Sequence, residues 1–376
     1  MYLALSYIAL LLIVIYMISL LLYFVGNCIP SNNKINKEAV PISIIVAVKN
    51  GEQSLPILLN NLENQNYKGM IEYLIVDDES TDNTKKIINQ FQNKNNKFKY
   101  VSSKEGSKQL FLKKRALDAG IKHAKFDILL FTDVDCKLKS TWVKSMAECF
   151  NEHVDYVVGF SEVPYFNNVI SWFQRIDFFM LLTAARATCN LKIPFASTGQ
   201  NQAYRKKIYH EIGFLNLSDS IQGDDSLFLQ LCLKNNISVI FNDNPKSFVS
   251  SRIEKKFWNL IKQRIRWSGD AKIMWKFNKI FFSIIVATFS TNLLILMLVY
   301  ESIFLKGTYI SYLQSILFIK FVLELLTYIS GALKLNFKFN FLLFLYWFIL
   351  EIPYVLFMGI SSLFVKYIGW RGGEKI

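Results

Sequence analysis

Long uncharged runs at both ends of this chain enclose a middle in which short apolar runs alternate with amphipathic stretches. Residues 1–25 carry no charged side chain. As a helix rising about 1.5 Å per residue, such a run exceeds the roughly 30 Å of bilayer hydrocarbon. The first charge, Lys34, follows the apolar run instead of preceding it, which predicts an uncleaved anchor and not a signal peptide. Residues 42–48 (ISIIVAV) form a continuous, β-branched run of strand length, the pattern of a buried parallel strand. Residues 55–62 then space their apolar side chains for a helix, 73–76 read as a strand, 84–91 as a helix, and 100–102 and 128–131 as further strands. That alternation predicts an α/β sheet whose ligands gather at the carboxyl ends of its strands.

Further along, residues 254–280 become basic and amphipathic, with Trp258, Ile261 and Ile265 on one helical face. Residues 168–191 carry Trp172, Phe173, Phe178 and Leu182 at helical spacing, and both stretches suit interfacial or core helices. Residues 280–300 are again uncharged, 307–330 are apolar apart from Lys320 and Glu324, and 339–365 are interrupted by Glu351 and Pro353. Lys320 and Glu324 stand one helical turn apart and can pair, which lowers the cost of placing them in a membrane. The last run reads either as one kinked span or as a broken hairpin.

Composition narrows the partners. The 52% hydrophobic and 15% aromatic content is high for a soluble protein and is concentrated in the terminal runs. A net charge of +14 raises nucleic acid as a partner, but the basic residues are spread along the chain without a zinc-finger, recognition-helix or RNA-binding signature. Nucleic acid is therefore excluded, and membrane lipids and a diphosphate ligand fit the charge better. Lys34 and Lys37 directly after the anchor place the middle of the chain in the cytoplasm by the positive-inside rule. By that rule a single last span would put Lys366, Arg371 and Lys375 outside, and a hairpin would return them. Cys28, Cys136, Cys149, Cys189 and Cys232 lack CxxC spacing, so neither a disulfide framework nor a zinc site is indicated. His123, His153 and His210 have no ligand spacing, and no glycine-rich phosphate loop follows any strand.

The candidate chemistry is a series of acidic clusters closed by an Arg-Trp element. Asp77 and Asp78 end the strand at 73–76, where they suit nucleoside recognition, although Ser80, Thr81 and Asp82 before residue 84 equally suit a helix cap. Asp133-Val134-Asp135 follows the strand at 128–131, and two like charges there are unfavourable without a cation such as Mg²⁺ or Mn²⁺. Asp224-Asp225 opens a helical stretch at 226–233, as a cap or as a general base for a sugar hydroxyl. Gln263-Arg264-Ile265-Arg266-Trp267 suits an anionic leaving group and a flat sugar face, or simply an interfacial helix.

In this order the motifs resemble those of membrane-bound glycosyltransferase family 2, the inverting enzymes that include cellulose, chitin and hyaluronan synthases. The resemblance covers residues 41–267: strand-DD, Lys113-x-x-Ala116-Leu117-x-x-Gly120, the DxD, Gly199-x-Asn201-x-x-Tyr204-Arg205, the acidic pair and Gln263-x-x-Arg266-Trp267. It implies a GT-A fold, a Rossmann-like mixed α/β sheet in the cytoplasm, with an N-terminal transmembrane helix and C-terminal transmembrane helices. By the same resemblance Ala47 lines the uridine site, Asp77 with Asp78 binds base or ribose, and Lys113 lies near the diphosphate. Asp133 contacts sugar or ribose, and Asp135 the metal. Asp225 matches the catalytic base, and Arg266 and Trp267 the Arg-Trp that meets diphosphate and acceptor. Gln263 and Asn201 belong to the acceptor side. This chain departs from the family pattern at Asp224, where Glu is usual, and at Leu112, where glycine is usual.

The expected organisation is an anchor at 1–25, a glycosyltransferase domain at 40–253, an interfacial region at 254–279 and a transmembrane region of about three segments at 280–366. The expected activity is transfer from a nucleotide-sugar donor, UDP-linked, to a lipid-linked or glycan acceptor at a bacterial cytoplasmic membrane, in cell-envelope glycan biosynthesis. A processive polysaccharide synthase is the alternative within the class. A non-catalytic scaffold with a decayed sugar site, or a transporter using Lys320 and Glu324, stands outside it.

Overall fold

The computed structural model describes residues 2–31, 36, 38–218, 223–305 and 307–367. Lys34, Lys37, Arg371 and Lys375, on which the charge asymmetry rests, lie outside the described residues. The chain divides into two compact units, Pro30–Pro164 with Cys189–Arg252, and Met1–Ile29 with Tyr165–Thr188 and Ile253–Ile376.

The first unit is built on strands β1 (Ile42–Val48), β2 (Ile71–Asp77), β3 (Phe98–Ser102), β4 (Ile128–Phe131), β5 (Tyr156–Gly159), β6 (Ser161–Glu162), β7 (Gln202–Arg205), β8 (Val239–Asn242) and β9 (Val249–Ser250). Seven of them form one sheet in the order β3-β2-β1-β4-β7-β5-β8, and β6 pairs with β9 separately. β1, β2, β3 and β4 run parallel, and β7 runs antiparallel between β4 and β5, which makes the sheet mixed. β1 sits at the centre of the parallel half because its β-branched run is buried on both faces, every residue but Ala47. Helix Leu55–Glu63 covers one face with Leu55, Leu58, Leu59 and Leu62, the spacing of one helical stripe. Helix Leu112–His123 comes close to the sheet at Gly120, where a Cβ would meet Ile45 Cγ2 at 2.6 Å and Val76 Cγ2 at 2.9 Å. The glycine of the Lys-x-x-Ala-Leu-x-x-Gly motif is thus a packing residue.

Strand order reverses between β1 and β4: β2 and β3 extend to one side of β1, and β4 lies on the other. Beyond the carboxyl ends of such a pair the connections diverge and leave a crevice for ligand. Val48 pairs with Asp77, and Ile45 with Phe131, so the acidic segments after β2 and β4 both leave the sheet at this edge.

The second unit is helical. Ser6–Cys28, Lys279–Phe304, Ile310–Lys334 and Phe341–Val365 are each long and apolar enough to cross a membrane. The last run is one continuous helix, Phe341–Ser361, with Pro353 inside it and a 3₁₀ turn at Ser362–Tyr367, and not a hairpin. Lys320 pairs with Glu324 as the spacing predicts, and with more: its Nζ lies 2.8 Å from Glu351 Oε2 and 3.2 Å from the Tyr16 hydroxyl. Tyr16 donates to Glu324, and Asn292 Nδ2 donates to Glu351 Oε1 at 3.3 Å, so one buried network joins all four long helices.

Candidate active site

The edge of the sheet unit is organised by its turns. Asp77, the last residue of β2, is buried, and its carboxylate accepts from Ser80 N at 3.0 Å and from the Tyr100 hydroxyl at 3.2 Å. Asp78 is half-buried, with its N–H donated to Val48 O at 2.7 Å. Burial pushes its carboxyl up, against the Ser103 hydroxyl and Lys49, which pull it down. Neither meets the helix that follows: Asp82 does, accepting from Thr84 N at 3.0 Å and from Glu52 N at 3.0 Å. What burial raises at Asp82, these hydrogen bonds and that of the Thr84 hydroxyl outweigh, and its pKa is lowered. Asp82 thus closes the turn before the helix, whose N-cap is Asn83, and Asp77 and Asp78 are left at the mouth of β2, near Ala47, the one half-open position of β1.

The second group centres on Lys113. Its Nζ stands 2.9 Å from Asp133 Oδ1 and 2.8 Å from Asp224 Oδ2. Burial lowers the proton affinity of this ammonium, but the two carboxylates outweigh burial and hold it well above the usual lysine value. Burial pushes Asp133 up; Lys113 pulls it down, and the like charges of Asp135 and Asp224 push it up again. Gly199 closes the group, since a Cβ there would lie 2.8 Å from Lys113 Nζ and 3.1 Å from Asp224 Oδ2. A side chain at this position would displace the ammonium from its seat. The turn after β1 reaches this group, with Gly51 against Val134 of the DxD.

Asp225 is both cap and candidate base. Its side chain accepts from Ser226 N at the start of helix Ser226–Leu233, and its other oxygen accepts from Gly199 N at 3.1 Å. Burial and then the neighbouring Asp224 push its carboxyl up to about 6, with Lys113 and the two backbone donors pulling the other way. A carboxylate so placed can take a proton near neutral pH and is oriented by fixed donors.

Among the described residues no three His, Cys, Asp or Glu come together to hold a metal ion. Mg²⁺ and Mn²⁺ commonly take one or two carboxylates and complete their shell with substrate phosphate and water. Asp133 and Asp135, hard oxygen donors on one turn whose mutual repulsion is evident at Asp133, fit that share of a site.

The remaining sequence-derived residues fall elsewhere. Asn201 is fully buried: its amide donates to Phe160 O at 2.8 Å and Ser247 O at 2.9 Å, and its carbonyl accepts from Trp142 Nε1 at 2.9 Å. Here it ties a helix, a 3₁₀ turn and the link between β5 and β6 together, and its side-chain amide is committed to them. Gln263, Arg266 and Trp267 are half-buried on helix Phe257–Ser268 of the helical unit. Arg264, between them, is buried and pairs with Asp177 Oδ2 at 3.1 Å, and its guanidinium lies 4.3 Å from the Trp267 ring centroid. Ile261 and Ile265 are buried as their shared face predicts, whereas Trp258 is 69% exposed near the helix start. Sequence reasoning missed Tyr100 as the partner of Asp77 and gave Asp224 no firm role; the Lys113 pairing supplies one.

Residues 43–213 match the profile of Glycosyl transferase family 2, and residues 143–361 that of Glycosyl transferase family group 2. Poly-beta-1,6-N-acetyl-D-glucosamine synthase of Staphylococcus epidermidis is 24% identical over 230 residues, 60% of this chain and 53% of that protein. Poly(ribitol-phosphate) beta-N-acetylglucosaminyltransferase TarS of Staphylococcus aureus is 31% identical over 113 residues, 30% of this chain and 19% of that one. The chain thus spans about half the length of the first of these relatives. Mannosyltransferase PcManGT from Pyrobaculum calidifontis, solved in complex with GDP-Man and Mn²⁺, is similar with a TM-score of 0.61 at 16% identity, over 89% of this chain and 99% of that one. That likeness is one of fold, and with the strand order it makes the sheet unit GT-A in type.

Proposed function

This chain belongs to glycosyltransferase family 2, and from that premise we propose that it transfers a sugar, with inversion, from a UDP-linked donor to a lipid-linked or glycan acceptor. The site of action is the cytoplasmic face of a bacterial membrane, the compartment that supplies nucleotide-sugars. The observation that carries this reading is Asp225, a half-buried carboxylate raised to about 6 and held by Gly199 and Ser226 beside the Lys113 cluster.

The acceptor oxygen attacks the anomeric carbon as its proton passes to Asp225. The bond from that carbon to the diphosphate breaks, and its electron pair leaves with the nucleoside diphosphate. Asp77, Asp78 and Ala47 bind the nucleoside at the ends of β2 and β1. Asp135, with Asp133 beside it, would hold Mg²⁺ or Mn²⁺, which when bound stabilises negative charge on the leaving diphosphate. Arg266 meets the diphosphate, and Trp267 and Gln263 meet the acceptor, as the family resemblance implies.

N-acetylglucosamine is the first sugar to test, because both curated relatives carry it in their names. A screen of nucleotide-sugars for released nucleoside diphosphate identifies the donor. Asp225→Asn should abolish transfer and keep Mn²⁺-dependent UDP binding; full activity in that variant refutes the assignment. A second reading, chain extension, is favoured by the polymer synthase among the relatives and by Gln263-x-x-Arg266-Trp267. Gel sizing of products made with radiolabelled donor separates it from single addition, which leaves one discrete product.

A further inference from the structure

Lys113 stands in an unusual position for a residue meant only to await a phosphate. Its ammonium bridges Asp133 and Asp224, on separate segments, at 2.9 and 2.8 Å. The ammonium packs closely against Gly199, where an added Cβ would lie 2.8 Å from Nζ and displace it. The residue that aims it, Leu112, takes a φ of +53, a left-handed conformation that costs a leucine but not a glycine. Left-handed backbone, close packing against Gly199 and a double ion pair occur together, although a lysine free to reach solvent would need none of them.

From these we infer that Lys113 is a built-in counter-ion: it occupies Asp133 and keeps a divalent cation from the DxD until a donor diphosphate draws its ammonium away. The inference rests on the proposed nucleotide-sugar site and assigns to that site an order of assembly. With no diphosphate present, a cation approaching Asp135 meets a positive charge already seated on Asp133, two residues away on the same turn. A diphosphate offers Lys113 new oxygens and leaves Asp133 and Asp224 facing one another, which favours a cation beside them. Metal and nucleotide then bind cooperatively, each strengthening the other by the same factor.

The test measures Mn²⁺ binding to the purified full chain by electron paramagnetic resonance, alone and with UDP or GDP, for wild type, Lys113→Met and the double variant Lys113→Met/Asp224→Asn. The double variant keeps the net charge of the cluster and stands in if the single one fails to fold, as judged by thermal melting. Without nucleotide, wild type should bind Mn²⁺ weakly and either variant tenfold or more tightly. The enhancement of Mn²⁺ affinity by the nucleotide should be large in wild type and shrink in the variants. Folded variants that bind Mn²⁺ no tighter than wild type, or that retain the whole enhancement, overturn the counter-ion role. If wild type binds neither nucleotide in the presence of Mn²⁺, it is the nucleotide-sugar reading itself that fails.

Discussion

Asp225 and Leu112 are two residues of the sheet unit whose chemistry and conformation depart from the ordinary. Asp225 is raised to about 6 by burial and by Asp224. As a base it works only when ionised, so transfer should fall tenfold per unit as pH drops below about 6 and level off above it. A pH–rate profile at saturating donor checks this, and a rate unchanged down to pH 5 would reject Asp225 as the base. At Leu112 the φ of +53 makes side-chain shape matter more than hydrophobicity. Leu112→Gly relieves strain of about 1–2 kcal/mol and costs somewhat less than that in chain entropy, so its stability should match or slightly exceed wild type. Leu112→Val, β-branched in the same left-handed region, should lose about 1 kcal/mol or more. Denaturant midpoints of the two variants decide it, and equal losses would show that the backbone is not strained there.

Among the elements, helix Phe257–Ser268 shows how one stretch divides structural from functional work. Arg264 and Asp177 are both buried and paired, Trp267 lies against the Arg264 guanidinium, and Phe178 stands 5.6 Å from Trp267. Removing Arg264 strands a buried carboxylate, so Arg264→Ala should lower stability by about 3 kcal/mol or more. Arg266→Ala should abolish transfer at a smaller cost in stability than Arg264→Ala, because the half-buried Arg266 is the arginine assigned to the diphosphate. Melting and donor turnover measured on both variants separate the roles; a stable, inactive Arg264→Ala would exchange them. The pattern predicted the helix and its Ile261–Ile265 face. It could not say which of two arginines two residues apart would turn inward, because that depends on where Asp177 lies on a helix 87 positions earlier in the chain.

At the scale of the whole molecule, the long apolar helices are held by a polar knot. Lys320 meets Glu324, Glu351 and Tyr16, and Asn292 meets Glu351, all of them buried. With no water in hydrocarbon to solvate them, these groups are satisfied only when the helices pack in one arrangement. Lys320→Met should therefore destabilise the detergent-purified protein by about 3 kcal/mol or more, by leaving two carboxylates without their cation. Lys320→Met/Glu324→Gln/Glu351→Gln should recover most of that loss. Thermal melts of the two variants test it, and a triple variant as unstable as the single one would mean that the helices are held by packing alone.

The local pattern was enough to determine β1, β4, the helices near 55 and 84, the apolar spans at both ends and the order of acidic motifs, because each rests on residues close in sequence. β5, β7 and β8 carried no such signal, being short strands that hold their place through neighbours in the sheet. The Lys320–Glu324 pair was legible from its spacing; Tyr16 and Glu351 as its partners were not. In the same way Asp225 could be picked out as cap or base, while its pKa near 6 could not, since burial and Asp224 set it. Asn201 read as a site residue from its motif, and the structure commits its polar atoms to Phe160, Ser247 and Trp142. Lys113 marks the division most clearly: sequence supplied its charge and its motif, whereas its seat between Asp133 and Asp224 exists only because three separate segments meet there. Sequence fixes which groups are available and how neighbours are spaced. Burial and long-range pairing, which set charge, proton affinity and the direction a side chain faces, arise only when distant segments meet.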